Sequence, residues 1–285
     1  MLIDLHFHSY YSSDADFSPT ELVGIAQKQG LKIISLTDHD SVAGVGEFLQ
    51  AGKAAGLEPV PGVEITGRYQ GEWYHILAYY LDWQNKELAE FMAIANTAQT
   101  QLIKDVVAVL AERGYSLSYD DVLKYKNELA VAGYVTIAKA IYKGKPDYEE
   151  QYFDFMNDVL KPLTPADYND SLPPVEDVIA LILKLGGVPV LAHPGLQLDS
   201  AADRSLEVVK TFKEMGLEGI EAVSTYHDAR AVDVFLQMGL DLDLLITMGS
   251  DFHGELKPTI DMGGAPKVDF PVVDTLLKQG FFRGL

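Results

Sequence analysis

The chain has 285 residues, 48% of them hydrophobic, enough to bury the core of one large α/β domain or of a domain with an insertion. It contains no cysteine, which excludes disulfides and every thiolate metal site. Its formal charge of −20, from 42 acidic and 22 basic residues, disfavours long nucleic acid as a tightly held partner. A small phosphorylated substrate remains compatible, because bound cations can reverse the field locally.

No apolar run reaches the roughly 18 residues of a membrane span. The N-terminus, Met-Leu-Ile-Asp, lacks the basic region of a signal peptide, so a cytoplasmic location is the expectation. Residues 1–5 read as a buried strand. Ser18-Pro19-Thr20-Glu21 is a capping box with proline at the first helical position, and Gly30 ends that helix. A strand over 32–36 completes one βαβ unit, and a helix follows over 42–55. Residues 58–66 and 72–80 read as strands around a turn at Gln70-Gly71.

From residue 85 to 170 the pattern becomes helical. A long apolar periodicity runs over 86–112, with further helices over 119–126 and 134–142. None of the histidines lies there, and the segment reads as a helical insertion that caps the main domain. Alternation then returns, with helices over 175–185, 205–215, 228–238 and 272–279 and strands over 188–192, 219–223 and 244–247. The division expected is 1–84 with 171–285 as one domain and 85–170 as the insertion. Repeated β-then-α order with short connections predicts a parallel barrel or a doubly wound sheet.

Six of the seven histidines, His6, His8, His39, His75, His193 and His253, follow or sit within five predicted strands. His6 and His8 are two apart on a strand, so they share a face, a frequent metal chelate; two hydrogen-bonded histidines are the alternative. Asp4 can orient a ligand from behind. Thr37-Asp38-His39-Asp40 ends the second strand, where a capping turn is the competing explanation. Glu64 and His75 lie within the next two strands, and alone each is as well explained by ordinary packing. His193-Pro194 and Asp251-Phe252-His253 end two later strands. Strand ends are where parallel α/β folds gather catalytic groups. Without thiolates, imidazole and carboxylate suit Mn²⁺, Zn²⁺, Fe²⁺ or Mg²⁺.

The set Asp-Leu-His-x-His-Ser, Thr-Asp-His-Asp, Gly-Val-Glu, His-Ile-Leu, Ala-His-Pro and Ser-Asp-x-His resembles the PHP (polymerase and histidinol phosphatase) family over roughly residues 1–81 and 174–254. The resemblance implies a distorted (β/α)₇ barrel with two to three divalent metals at the strand ends, hydrolysing a phosphate ester with metal-activated water. It implies that His6, His8, Glu64 and Asp251 hold one metal, with Asp251 counted also as catalytic. Glu64 bridges to a second, completed by His75 and His193, and Asp14, His39 and His253 hold a third. Asp14 stands in Ser13-Asp14-Ala15, where the family usually has Ser-Asp-Gly.

The pattern is nearest to small bacterial phosphoesterases with a helical insertion, among them nucleoside bisphosphate and nucleotide phosphatases and a short-RNA exonuclease. Those usually carry an arginine for substrate phosphate in a Gly-Arg-Pro-His stretch. Here the corresponding Gly133-Tyr134-Val135-Thr136 has none, and Lys139, Lys143 and Lys145 are the expected substitutes. Tyr226 and His227 follow a predicted strand. His227 is expected to bind phosphate or to give a proton to the leaving group, a surface histidine being the alternative. Exonuclease action on short oligonucleotides, a C–N hydrolase of the amidohydrolase type and a metal-stabilised binding module remain the other functional classes.

Overall fold

A computed structural model describes residues 2–143, 152, 154–199 and 203–283. Met1, at the start of the first expected strand, and Lys145 lie outside these residues. Seven strands form one sheet in chain order. They are β1 (Ile3–Phe7), β2 (Ile33–Leu36), β3 (Glu58–Tyr69), β4 (Glu72–Tyr79), β5 (Val188–Leu191), β6 (Gly219–Ser224) and β7 (Leu245–Gly249). The sheet closes on itself: the His8 N–H donates to Phe252 O over 2.9 Å and the Asp251 N–H to His6 O over 2.8 Å. The result is a nearly closed seven-stranded barrel with helices outside it.

β1, β2, β5 and β6 are buried along their whole length, as expected of strands covered on both faces. β4 is the exception to parallel order, running antiparallel to both β3 and β5. The cause is local. Gln70 and Gly71 take φ of 52° and 82°, the left-handed pair that makes a two-residue hairpin, so the chain returns at once. β3 runs three residues beyond its expected end because every residue from Gly62 to Tyr69 finds a partner on β4.

Helix α1 (Pro19–Lys28) starts at the capping box, with the Glu21 N–H donating to Ser18 Oγ and the Ser18 N–H to Glu21 Oε2. Helix α2 (Val45–Ala54) begins three residues later than the apolar pattern indicates. Helix α3 (Lys86–Glu112) is capped by the Asn85 side chain and, at 1.5 Å per residue, is about 40 Å long. Its first half, through Leu88 and Met92, packs on the barrel core. Its second half, through Leu102, Ile103, Val106 and Leu110, builds a separate core with α4 (Tyr119–Leu123), α5 (Tyr134–Tyr142), Phe155 and Leu160. Among the described residues, none between α3 and the helix Val175–Lys184 is in a strand. No helix among them is long and apolar enough to cross a membrane.

Candidate metal centre

The donors come from one end of the barrel. β1 supplies His6 and, just past its end, His8. The Thr37–Asp40 turn after β2 supplies His39, and β3 supplies Glu64. β4 runs the other way, so its ligand stands near its start: His75 pairs with Thr66, two residues beyond Glu64 on the same face. His193 follows β5, and Asp251 and His253 follow β7. Asp40, His193 and Asp251 adopt φ of 44°, 24° and 54°. For non-glycine residues this costs on the order of 1–3 kcal/mol each, a cost concentrated at the rim of the site.

A buried set of acceptors turns three of the imidazoles. His6 Nδ1 lies 3.1 Å from Glu221 Oε1, and Glu221 Oε2 also accepts the His193 N–H at 2.8 Å. His8 Nδ1 lies 3.0 Å from Ser12 Oγ, whose own proton goes to Asp38 Oδ1. Ser12 Oγ also accepts the His39 N–H at 2.9 Å. Asp38 takes two further bonds from Ser9, at 2.6 and 2.7 Å, while burial pushes its carboxyl up to about 7. His253 Nδ1 donates to Asp251 O at 2.7 Å. Asp4 clamps the frame by accepting the Ser250 N–H, the Ser250 hydroxyl and the Gly263 N–H. With these partners on Nδ1, His6, His8 and His253 all present the lone pair of Nε2 to the cavity.

Glu64, fully buried, is the hub. Its Oε1 lies 2.9 Å from His75 Nδ1 and 3.0 Å from His193 Nε2. Its Oε2 lies 2.9 Å from His39 Nδ1 and 3.3 Å from both His6 Nε2 and His8 Nε2. Asp251 Oδ1 is 2.9 Å from His8 Nε2 and 3.1 Å from His6 Nε2. Asp14 Oδ2 is 3.3 Å from His253 Nε2 and 3.8 Å from His39 Nε2. Three sets of donor atoms fall within 4.8 Å of one another: His6, His8, Glu64 and Asp251; His39, Glu64 and His75; and His8, His39 and His253.

These donors fit divalent cations. His6 Nε2 and His8 Nε2 face each other at 3.2 Å, although the Nδ1 of each already faces an oxygen acceptor. Glu64 Oε2, Asp14 Oδ1 and His193 Nδ1 are buried without a hydrogen bond. Burial opposes ionisation of Glu64, but His75, His6 and His39 overcome it and hold the carboxyl well below its usual range. Asp251 is held low against burial by Lys257, His253 and His6. Burial, with His253 and His39 alongside, pushes His8 down to about 4, and burial does the same to His75. Against burial, Glu221, Glu64 and Asp251 raise His6 well above its ordinary range, and Glu64 and Asp14 raise His39 to about 9. Ionised carboxylates, neutral His8 and His75, and protons on His6 and His39 that a cation would displace make a donor set suited to a hard or borderline cation.

All nine residues expected to ligate metal therefore meet in one cavity. Tyr226 is also there, donating from its hydroxyl to Asp251 Oδ2 at 2.7 Å. The other expected substrate contacts are placed differently. Lys139 is bound to Asp16 at 2.9 Å, and Lys143 lies over the Tyr125 ring, 5.6 Å from its centroid. His227 departs from the expected proton donor. It is buried, its Nδ1 donates to Ala222 O at 2.9 Å, and its Nε2 accepts the Gly195 N–H at 2.9 Å. A ring with both nitrogens committed to backbone braces the turn after His193 and has no proton to deliver.

Two residues at the site escaped the sequence reading. Glu221 carried one signal, a carboxylate inside the apolar run Gly219–Val223. Lys257 carried none, yet its Nζ lies 2.9 Å from Tyr226 Oη, 3.3 Å from Asp251 Oδ2 and 3.3 Å from His253 Nε2.

Comparison with known proteins agrees with this geometry. The chain is 27% identical to a 5′–3′ exoribonuclease of Haemophilus influenzae, over 88% of this chain and 89% of that one. It is 25% identical to a 3′,5′-nucleoside bisphosphate phosphatase of Chromobacterium violaceum, over 92% and 90%. A solved structure from Bifidobacterium adolescentis, described as a candidate metal-dependent phosphoesterase, superimposes with a TM-score of 0.81 at 28% identity, covering 97% of this chain and 96% of that one. The sequence model of the PHP domain matches residues 4–222, and the chain belongs to the PHP domain family.

Proposed function

We propose that this chain is a metal-dependent phosphoesterase that hydrolyses a phosphate monoester of a small substrate, of the nucleotide or nucleoside bisphosphate kind. The observation that carries it is the buried Glu64 carboxylate surrounded by His6, His8, His39, His75 and His193 within 3.3 Å. Two to three divalent ions, Mn²⁺, Zn²⁺ or Fe²⁺ with Mg²⁺ as a further candidate, would there supply an activated water and neutralise phosphoryl oxygens.

In this reading His6, His8, Glu64 and Asp251 form the first site, which their mutual proximity supports. Glu64 bridges to His75 and His193, while His39, His253 and Asp14 complete the third. The segment 85–170 acts as a cap. Its approach supports that role: a Cβ on Gly133 would stand 2.5 Å from Ser13 Oγ, beside Asp14. A second reading, cleavage of short oligonucleotides from one end, is favoured by the exoribonuclease likeness.

The test is phosphate release by Mn²⁺-loaded protein from mononucleotides, nucleoside bisphosphates and short oligonucleotides, with Glu64→Gln as control. Release from the monoesters is expected from the wild type and not from the variant. Release of mononucleotides from oligomers, with monoesters left intact, would favour the second reading. Metal-loaded protein that cleaves nothing would overturn both.

A further inference from the structure

The Gly133–Thr136 stretch has no arginine, and Lys139 and Lys143, two of its expected substitutes, are placed against Asp16 and Tyr125. Among the described residues, no lysine or arginine other than Lys257 pairs with a side chain of the cluster. We propose that Lys257 binds the non-bridging oxygens of the substrate's terminal phosphate. It would thus supply from the barrel the cation that the helical segment does not, and this rests on the phosphoesterase reading above.

Lys257 follows the short turn Gly254–Leu256, which itself follows β7. Its stem is held from both sides of the cavity. The preceding Leu256 is buried in the helical core with Val122, Ile137 and Leu160, and the Leu256 N–H donates to Asp16 Oδ2 at 3.2 Å. Asp16 is in turn fixed by Lys139. The position of the ammonium is therefore set by the junction of the barrel with the helical core.

Its own contacts leave it available. The bond to Tyr226 Oη is short, but those to Asp251 Oδ2 and His253 Nε2 are both 3.3 Å. Asp251 Oδ2 also receives the Tyr226 hydroxyl at 2.7 Å, so it keeps a hydrogen bond when the ammonium turns to a ligand. His253 Nε2 is a cation donor in its own right. The two N–H groups on the 3.3 Å contacts are therefore the ones a ligand would take over, and the side chain is 29% exposed. The Tyr226 hydroxyl donates to Asp251 Oδ2 and its oxygen accepts from Lys257 Nζ, so the phenol links the two. A compact ammonium attracts in proportion to ligand charge, which favours a dianionic monoester over a monoanionic diester.

The experiment compares full-length Mn²⁺-loaded wild type, Lys257→Met and Lys257→Arg. It measures bound Mn²⁺ by elemental analysis, inorganic phosphate affinity by calorimetry, and kcat/KM on 4-nitrophenyl phosphate and bis(4-nitrophenyl) phosphate. In Lys257→Met, phosphate affinity and monoester kcat/KM are expected to fall roughly 10–100-fold, mostly through KM, with the diester changed far less and Mn²⁺ content unchanged. Lys257→Arg should recover part of the loss. Unchanged phosphate affinity in Lys257→Met, or Mn²⁺ loss in step with activity, would overturn the assignment. Wild type that binds Mn²⁺ and phosphate yet cleaves neither ester would instead overturn the phosphoesterase reading, while the phosphate affinities still decide the role of Lys257.

Discussion

Glu221 holds two donors that belong to different strands. One oxygen faces His6 Nδ1 and the other accepts the His193 N–H, so a single buried carboxylate sets one ring's tautomer and another's backbone. Glu221→Gln preserves volume but replaces an acceptor with a donor toward one of these groups. Partners behind a metal ligand typically carry 10–100-fold in affinity. The expected outcome is an Mn²⁺ affinity lower by about that factor in a calorimetric titration, with an unchanged far-UV circular dichroism spectrum. Affinity equal to wild type would show that His6 and His193 are fixed by packing alone. Glu221 was hard to read from sequence because it has no imidazole beside it, and its partners lie 215 and 28 residues away. His6, His8, His39, His193, Asp251 and His253 were legible as metal-competent groups at strand ends, whereas Asp14, Glu64 and His75 were expected as ligands through the family resemblance. Lys257 lay beyond such reading, since its position depends on a turn held by the burial of Leu256 in the helical core.

The seam between β1 and β7 decides whether those donors converge. Gly249 ends β7 where the two strands meet, and a Cβ there would stand 2.2 Å from His6 Cβ and 2.5 Å from Glu221 Oε1. Neither atom is the loose end of a flexible side chain. Gly249→Ala should therefore force the seam apart at a cost of about 1–3 kcal/mol, read as a lower midpoint in thermal or urea unfolding. The same variant should bind Mn²⁺ more weakly, because the displaced residue is His6. Wild-type stability and affinity together would show that the seam relaxes freely. Elements with local instructions were legible: α3 spans the expected 86–112 because Asn85 caps it and its apolar period persists. The hairpin was marked by Gln70-Gly71. The ends of β1 and β3 were read short: Phe7 is added by pairing with Leu36 of β2, and the last residues of β3 by the hairpin partner β4, and composition encodes neither pairing. His75 shows the limit of the strand-end rule: β4 is reversed, so its donor stands near the strand's beginning.

At the scale of the whole molecule, the barrel brings Asp14, Glu64 and Asp251 together in a chain already carrying a net charge of −20. Without cations, this arrangement is held by imidazoles that must share protons with carboxylates across contacts near 3 Å. In the unfolded chain the same donors are scattered from residue 6 to residue 253, so an ion chelated by the fold binds the folded state and stabilises it by mass action. At free metal about a thousand times the dissociation constant, that stabilisation is about 4 kcal/mol. For a domain of this size, the corresponding rise in melting temperature is roughly 8 °C. Scanning calorimetry with Mn²⁺ and then with excess chelator should show the difference, reversed when metal is restored. Glu64→Gln should lose most of the metal-dependent increment, because the hub shared by both ends of the cluster is neutralised. Equal midpoints with and without chelator, for both proteins, would mean that histidines and carboxylates meet there for a purpose other than holding cations.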